Sequence, residues 1–367
     1  MYSSTEPPTL SSVGHESTKG PTAPQQDLIS YQRRLWAELI FLWRLCGRFW
    51  RMPRSSPPDR PPIRAQLLSK TTNSWVYKTP PVSAIRAIKV SQDELLLYQE
   101  YLLQRDTKWA FGVAHQKLAA RGLGVLLPLV PQCLSFQANV LTEYHGIFKD
   151  MKEFPRDCAG YTMEYIRPFN QYHTKYLVKR HLSQHVHERA LAGSTDLLLL
   201  AKVQMGALKP SSDRWDISLQ DRPAYIDQLY AERVDVVSLA SSMGSALGVL
   251  HWVCGVDAAG VDFVLGCDRS GHVQLWLIDF ADCKPFRSTM LDVTTRLVDA
   301  VVQNGSCWPR WIDLPAFRNV WTVFRRSYIQ ISVCILEGSR STAPPTFLPI
   351  LFIDELEKTQ GRGWILS

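Results

Sequence analysis

The pattern of apolar and polar positions becomes regular at about residue 66, after a stretch rich in Ser, Pro and Arg. Beyond it, short runs of β-branched and aromatic residues bounded by polar ones predict strands. These strands are Ser74–Lys78, Ile85–Val90, Gly124–Val130 and Gly160–Ile166. Between the second and the third of them, helical spacing predicts a helix over Gln92–Arg105.

The pattern beyond residue 170 is mainly helical. It is clearest over Asp235–Trp252, where apolar residues recur three and four apart. A hairpin follows, made of VDFVLG, a turn at Asp268–Gly271 and HVQLWLIDF. Strands around one helix, followed by a helical half with one hairpin, predict an α+β fold of two lobes, over residues 66–168 and 169–367.

Residues 1–65 predict no folded domain. Residues 1–30 are rich in Ser, Thr, Pro and Gln and predict a disordered tail. Residues 31–52 mix Trp with Arg in a pattern that permits a basic amphipathic helix, and a Pro-rich linker follows. We favour packing of this helix on the folded domain or a partner over binding to an anionic membrane.

The net charge of +7 belongs mostly to one short segment. Residues 31–66 hold eight Arg against Glu38 and Asp59, a net charge of +6. A basic surface over the whole protein, as a nucleic-acid-binding domain would show, is therefore not indicated. Nucleic acid stays the less favoured partner and would bind through residues 31–66. The sequence specifies no other protein or small-molecule partner.

Composition restricts the class of protein further. Apolar residues make up 46% and charged residues 20%, as in chains that fold. No uninterrupted apolar run reaches the roughly 18–20 residues of a membrane span, and the start MYSSTEPPTL lacks the pattern of a signal peptide. We expect an intracellular protein, cytoplasmic or nuclear. Its eight cysteines include no CxxC pair, so we expect free thiols and no zinc site.

The first candidate site residue is Lys89, in the motif AIKV on a predicted strand. In protein kinases a lysine at such a place binds phosphates and is held by a carboxylate of the next helix. Glu100, in LYQEYLL, is the predicted partner, and Glu94 is the alternative.

The second candidate is the strand end YTMEYIRP. The chain leaves this strand through Pro168, and such a strand end is typical of the hinge between kinase lobes. The backbone of Glu164 and Ile166 would then face an adenine ring, with Met163 at the back of the pocket.

The third candidate is a set of three carboxylates. Kinase-like phosphotransferases place a catalytic Asp five residues before a metal-binding Asn, then a hairpin, then a metal-binding Asp followed by Phe. Here Asp257 and Asp262 are five apart, and Asp279 precedes Phe after the predicted hairpin. Asp257 would be the general base, and the other two would hold Mg²⁺ on the phosphates of ATP. ATP and Mg²⁺ are thus the candidate cofactors.

Several positions depart from an active kinase. Ser69, Thr71 and Ser74 stand where the phosphate-covering loop would carry glycines, which let the backbone close over phosphates. No His-Arg pair precedes Asp257, and Asp262 replaces the usual Asn. The scaffold is therefore predicted to be kept while much of the catalytic machinery is altered.

Taken together, AIKV, YTMEYIRPF, MGSALGVLHW, VDAAGVDFVLG and WLIDF resemble a fungal family of unknown function whose members are often labelled "zinc finger protein". The later helix VWTVFRRSYI fits the same family, whereas GSCW departs from its pattern. The resemblance covers roughly residues 66–335. It implies a fungal origin and a fold like that of protein kinases and aminoglycoside phosphotransferases, with no demonstrated activity.

Three functions follow as hypotheses. The favoured one is a catalytically degenerate, pseudokinase-like binding or regulatory module. The second is a divergent small-molecule phosphotransferase that uses ATP and Mg²⁺. The third is a nuclear gene-regulatory protein that uses the Arg-rich segment on nucleic acid.

Overall fold

The structure is a computed structural model that describes residues 65–71, 73–80, 85–148, 151, 154–181, 200–210, 223–312, 314–337 and 345–363. The predicted tail, amphipathic helix and linker lie outside these residues, as does the segment on which the nucleic-acid hypothesis depends. All the described residues belong to one compact unit.

The N-terminal part is a five-stranded antiparallel sheet. Its strands are β1 Gln66–Lys70, β2 Ser74–Lys78, β3 Arg86–Ser91, β4 Cys133–Gln137 and β5 Ala159–Glu164. The order β1-β2-β3-β5-β4 places β3 at the centre. Three of the four predicted strands are confirmed, as β2, β3 and β5. The central strand, β3, is buried at five consecutive positions and therefore on both faces.

One long helix, α1 (Glu94–Ala120), follows β3. The side chain of Asp93 caps it by accepting a hydrogen bond from the backbone N–H of Leu96 at 3.0 Å. The predicted end at Arg105 is wrong. The helix continues because its apolar face persists through buried residues such as Phe111 and Leu118, which belong to the main core.

The predicted strand over Gly124–Val130 is also wrong. This segment is extended, and only Leu129 makes a β-bridge, in parallel with Trp276. Its other apolar side chains, among them Val125 and Leu127, pack against the main core from a loop. An apolar run of this length fits a core-covering loop as well as a strand, so the run alone does not decide between them.

The C-terminal part holds a second sheet and most helices. The strands are β6 Ala201–Gln204, β7 Pro223–Tyr225, β8 Asp262–Cys267 and β9 Val273–Ile278, in the order β7-β6-β8-β9. Helix α2, Val140–Phe148, lies between β4 and β5 of the N-terminal part. The helices that follow it in the described residues are α3 Gln171–His181, α4 Ile226–Ala231, α5 Val236–Val249, α6 Met290–Thr294, α7 Arg296–Gln303, α8 Arg318–Glu337 and α9 Leu348–Gly363. The predicted hairpin is confirmed as β8 and β9.

Helix α5 is the centre of the main core and continues as a π-helical turn, Leu250–Cys254. It packs closely on α8: a Cβ added at Gly244 would collide with the backbone carbonyl of Phe324, so only glycine fits there. Among the described residues, Val236–Cys254 is the one helical stretch long and apolar enough, by length and composition, to cross a membrane. It is 67% buried within the fold, as the core helix of a folded domain would be.

Candidate functional site

A cavity of about 440 Å³ lies between the two sheets. Its volume falls in the range of small-molecule sites, roughly 300–1,000 Å³. Strands β1, β2, β3 and β5 with helix α1 line one side, and β6 with the hairpin of β8 and β9 lines the other. Seven of the eight predicted site residues line it: Lys89, Glu100, Met163, Glu164, Ile166, Asp262 and Asp279.

The ion pair predicted from AIKV is present. The Nζ atom of Lys89 lies 2.6 Å from Oε1 of Glu100 and 3.2 Å from Oδ1 of Asp279. The alternative partner, Glu94, is exposed at the start of α1. Burial alone would lower the pKa of Lys89, but the two carboxylates outweigh it and raise that pKa, so the ammonium stays charged. Lys89 thus joins the sheet side of the cleft to the hairpin side.

A second layer of polar groups holds Glu100. The hydroxyl of Tyr161 lies 3.2 Å from Oε1 of Glu100 and 3.1 Å from Oε1 of Gln104. Gln104 in turn donates to the carbonyl oxygen of Pro131 at 3.0 Å. Because buried polar groups need partners, this network fixes the carboxylate in place. Neither Tyr161 nor Gln104 was predicted, although Tyr161 stands in the hinge motif and Gln104 one helical turn after Glu100.

The two predicted metal ligands meet at the open end of the hairpin. Asp262 opens β8 opposite Ile278, which directly precedes Asp279. The backbone of Asp279 has a φ of 63°, a left-handed conformation that costs a non-glycine residue about 1 kcal/mol or more. That turn directs the chain out of β9 at the point where the carboxylate meets Lys89.

A lysine that the sequence did not indicate completes the hairpin side. Lys202, on β6, places its Nζ atom 2.7 Å from Oδ2 of Asp262. Burial raises the pKa of Asp262, and Lys202 opposes that shift. Both carboxylates that would bind Mg²⁺ are thus paired with ammonium groups. Their oxygens suit a hard cation chemically, and their role as Mg²⁺ ligands stays a prediction.

The three predicted hinge residues line the cavity, and the adenine ring that their backbone would face stays a prediction. Met163 is the penultimate residue of β5, and its sulfur lies 3.7 Å from the Nε2 atom of Gln104. Glu164 donates its backbone N–H to the carbonyl of Gln132 at 2.8 Å. Its side chain lies 3.2 Å from the guanidinium of Arg269, in the turn between β8 and β9.

A second contact ties the hinge to the same turn. The backbone N–H of Cys267 donates to the carbonyl of Arg167 at 2.7 Å, and the Arg167 guanidinium donates to the carbonyl of Arg269 at 3.0 Å. We call Glu164, Arg167, Cys267 and Arg269 the hinge strap.

The turn between β1 and β2 carries hydroxyl groups in place of glycines. Ser69, Thr71 and Ser74 all line the cavity. The Oγ1 atom of Thr71 lies 2.9 Å from Oγ of Ser74 and accepts the backbone N–H of Ser74 at 3.1 Å. Side chains thus close this turn, and their hydroxyls can also donate to an anion.

Asp257, the predicted general base, does not line the cavity. It is buried, and its Oδ1 accepts the backbone N–H groups of Lys284 at 2.9 Å and Ala259 at 3.2 Å. Its Oδ2 lies 3.2 Å from Nε of Arg296. Both oxygens are therefore used in holding the loop before β8 against the segment after β9.

Cysteine and histidine do not gather into a metal centre among the described residues, where no group of three or more His, Cys, Asp and Glu is placed to hold a metal ion. The seven cysteines of that part of the chain carry free thiols, as predicted.

Comparison with known sequences gives one family match. Residues 275–340, from β9 to the end of α8, match the model of a family described as "Zinc finger protein". The expected likeness to a family with that label is thereby confirmed for this part of the chain. A fungal origin stays a prediction. No curated protein matches the sequence.

Comparison with solved structures finds phosphotransferases and kinases. Aminoglycoside phosphotransferase APH(4)-Ia, in complex with AMP-PNP and hygromycin B, is 12% identical over 82% of this chain and 88% of that one, with a TM-score of 0.26. Vaccinia related kinase 3 is 12% identical over 85% and 78%, with a TM-score of 0.35. The PknI kinase domain of Mycobacterium tuberculosis is 12% identical over 79% and 94%, with a TM-score of 0.30.

These superpositions are loose, so the assignment rests on features within this chain. A central strand carries a lysine that is paired with a carboxylate of the next helix, and a hairpin ends in an aspartate that reaches the same lysine. This is the arrangement of the kinase site. The fold is α+β and kinase-like, with a small β-rich N-terminal part and a mainly helical C-terminal part.

Proposed function

We propose that this chain is a catalytically degenerate, kinase-like module that binds a nucleotide in the cleft and does not transfer its phosphate. The observation that carries the proposal is the position of Asp257. A general base must come within hydrogen-bond reach of the acceptor hydroxyl, whereas both oxygens of Asp257 are engaged away from the cavity.

Binding is supported by the groups that do line the cavity. Lys89 provides a charged donor, and the turn of Ser69, Thr71 and Ser74 provides hydroxyls beside it. Apolar side chains such as Val76 and Ile278 line the same space. Convergent polar donors in a partly apolar cleft are typical of a ligand site.

The test compares binding with turnover. We expect the full chain to bind ATP in calorimetry while releasing or transferring no phosphate. Asp257→Ala should leave ATP affinity unchanged within about twofold, which is about 0.4 kcal/mol. Asp106→Ala, an exposed change on α1, is the matched control. The proposal fails if the wild type transfers phosphate from ATP and Asp257→Ala abolishes the transfer.

The second candidate is a divergent small-molecule phosphotransferase. The contact of Lys89 with both Glu100 and Asp279 favours it, because an active kinase site needs that constellation. Its test is transfer of the γ-phosphate of ATP to a panel of aminoglycosides and small alcohols, with Asp279→Ala as the inactive control. Transfer that is lost in this variant would establish the enzyme.

A further inference from the structure

The hairpin side of the cleft carries its own cation. Lys202 extends from β6, which pairs with β8 so that Lys202 lies opposite Val264. Asp262 is two residues before Val264 and therefore lies on the same face of the sheet. All three residues line the cavity. The contact of 2.7 Å between Lys202 and Asp262 thus follows from strand register, which makes it a built part of the site.

The two ammonium groups of the cleft have hydrogen-bonding capacity left. A lysine ammonium has three N–H donors. Lys89 directs two of them to Glu100 and Asp279, and Lys202 directs one to Asp262. Counting contacts within the described part of the chain, one donor on Lys89 and two on Lys202 are left for a ligand. The side chain of Lys202 is 41% exposed, so its ammonium is reachable from the cavity.

Each of the two carboxylates already contacts an ammonium group through one oxygen: Asp262 contacts Lys202, and Asp279 contacts Lys89. A Mg²⁺ ion bound to the remaining oxygens would be repelled by these ammonium charges, and would also have to give up part of its own hydration shell. Phosphate oxygens, in contrast, would accept hydrogen bonds from the ammonium groups of Lys89 and Lys202, which are already charged and held in the cleft.

We propose that Lys202 takes the place of the metal ion, so that the cleft binds the phosphates of a nucleotide between Lys89 and Lys202 without Mg²⁺. This inference rests on the proposed function and adds the mode of recognition to it. The ligand class is a nucleoside di- or triphosphate, with its base toward the hinge at Glu164 to Ile166 and its phosphates between the two ammonium groups.

The experiment measures ADP affinity of the full chain by calorimetry, once with excess EDTA and once with Mg²⁺. We expect the wild type to bind equally in both, within about twofold. Lys202→Met should weaken binding in EDTA at least about tenfold, because a hydrogen bond from a charged donor is lost. It should also make binding depend on Mg²⁺, since Asp262 is then free to hold the metal. Lys117→Met, an exposed lysine on α1, is the matched control.

The possible failures are distinct. Wild-type binding that needs Mg²⁺ overturns the role of Lys202 but keeps the proposed function. Absence of ADP and ATP binding in both buffers overturns both. Equal affinity of Lys202→Met and the wild type in EDTA also overturns the inference.

A second variant keeps the test independent of how well Lys202→Met folds. Asp262→Asn retains the shape of the side chain and removes the charge that competes with phosphate for Lys202. If Lys202 receives the phosphates, this variant binds ADP more tightly in EDTA. If Asp262 is instead a metal ligand, the Asp262→Asn variant binds ADP more weakly in Mg²⁺ and no more tightly in EDTA. That result would overturn the inference.

Discussion

The two sides of the cleft each hold a lysine paired with a carboxylate, and the two pairs differ in burial. Lys89 and Glu100 approach to 2.6 Å with side chains that are 11% and 3% exposed. Lys202 and Asp262 approach to 2.7 Å, but the lysine side chain is 41% exposed. The same contact distance thus occurs in two very different environments.

Burial decides what each pair can do. A buried pair is expensive to separate, because either charge left alone has lost its water. A half-exposed pair exchanges its partner for water or a ligand at little cost. The sheet side is therefore a fixed part of the scaffold, and the hairpin side is the part that can respond to a ligand.

The largest expected effect is on the buried pair. Lys89→Met leaves the Glu100 carboxylate buried without its cation, and we expect it to lower the free energy of unfolding by about 3–5 kcal/mol. Urea denaturation of the two proteins measures the change.

The control for this prediction is the double variant Lys89→Met with Glu100→Leu. Because an apolar pair of similar volume can replace a buried ion pair, it should recover much of the loss. A loss below about 1 kcal/mol for Lys89→Met alone would mean that both pairs are surface-like, and the contrast would disappear.

The second effect concerns the pH dependence of stability, which we assign to His251 and not to either ion pair of the cleft. His251 is not among the residues that line the cavity. His251, in the π-helical turn, is buried among aromatic rings, with Nδ1 3.0 Å from the hydroxyl of Tyr328. Burial lowers the pKa of His251 to about 3. Below a pH of about 6.5, His251 is protonated in the unfolded chain but stays neutral in the folded chain. The free energy of unfolding therefore falls as the pH falls toward 3.

Between pH 7.5 and 5 this one group should remove about 2 kcal/mol from the free energy of unfolding. Urea denaturation at both pH values should therefore show a smaller decrease for His251→Gln than for the wild type. His115→Gln, an exposed change on α1, should behave like the wild type. Parallel decreases in all three proteins would show that His251 does not carry the acid sensitivity.

The smallest expected effect is on the half-exposed pair. Lys202→Met should change the free energy of unfolding by less than about 1 kcal/mol, because solvent screens the contact. Urea denaturation of Lys202→Met and of the control Lys117→Met should give midpoints that nearly coincide. A loss as large as that of Lys89→Met would contradict the division of the cleft into a fixed side and a responsive side.

The sheet side could be predicted from the sequence because its contacts are local in the chain. Lys89 and Glu100 stand on a strand and on the helix directly after it, so helical and strand periodicity already bring them together. The hairpin is also local, and it fixes Asp262 beside Asp279. The kinase-like plan followed from these short-range relations.

The hairpin side depends on contacts between distant parts of the chain. Lys202 meets Asp262 only because β6 pairs with β8, and nothing in the pattern around Lys202 indicates that pairing. Likewise, Asp257 is held by Arg296 from a helix that follows the hairpin. Long-range register has no signature in local periodicity, and for this reason a predicted base proved to lie outside the cavity lining.

The hinge strap has a mechanical consequence for the cleft. The strap joins the end of the first sheet to the turn of the hairpin through an ion pair and backbone hydrogen bonds. These contacts hold the two sides of the cleft together at the strap. The sides would therefore rotate about the strap as a hinge axis instead of separating there. The turn of Thr71 and Ser74 lies at the end of the first sheet opposite Glu164, because Ser74 pairs with Ser91 whereas Glu164 pairs with Arg86. Rotation about the strap would therefore open the cleft most at that turn.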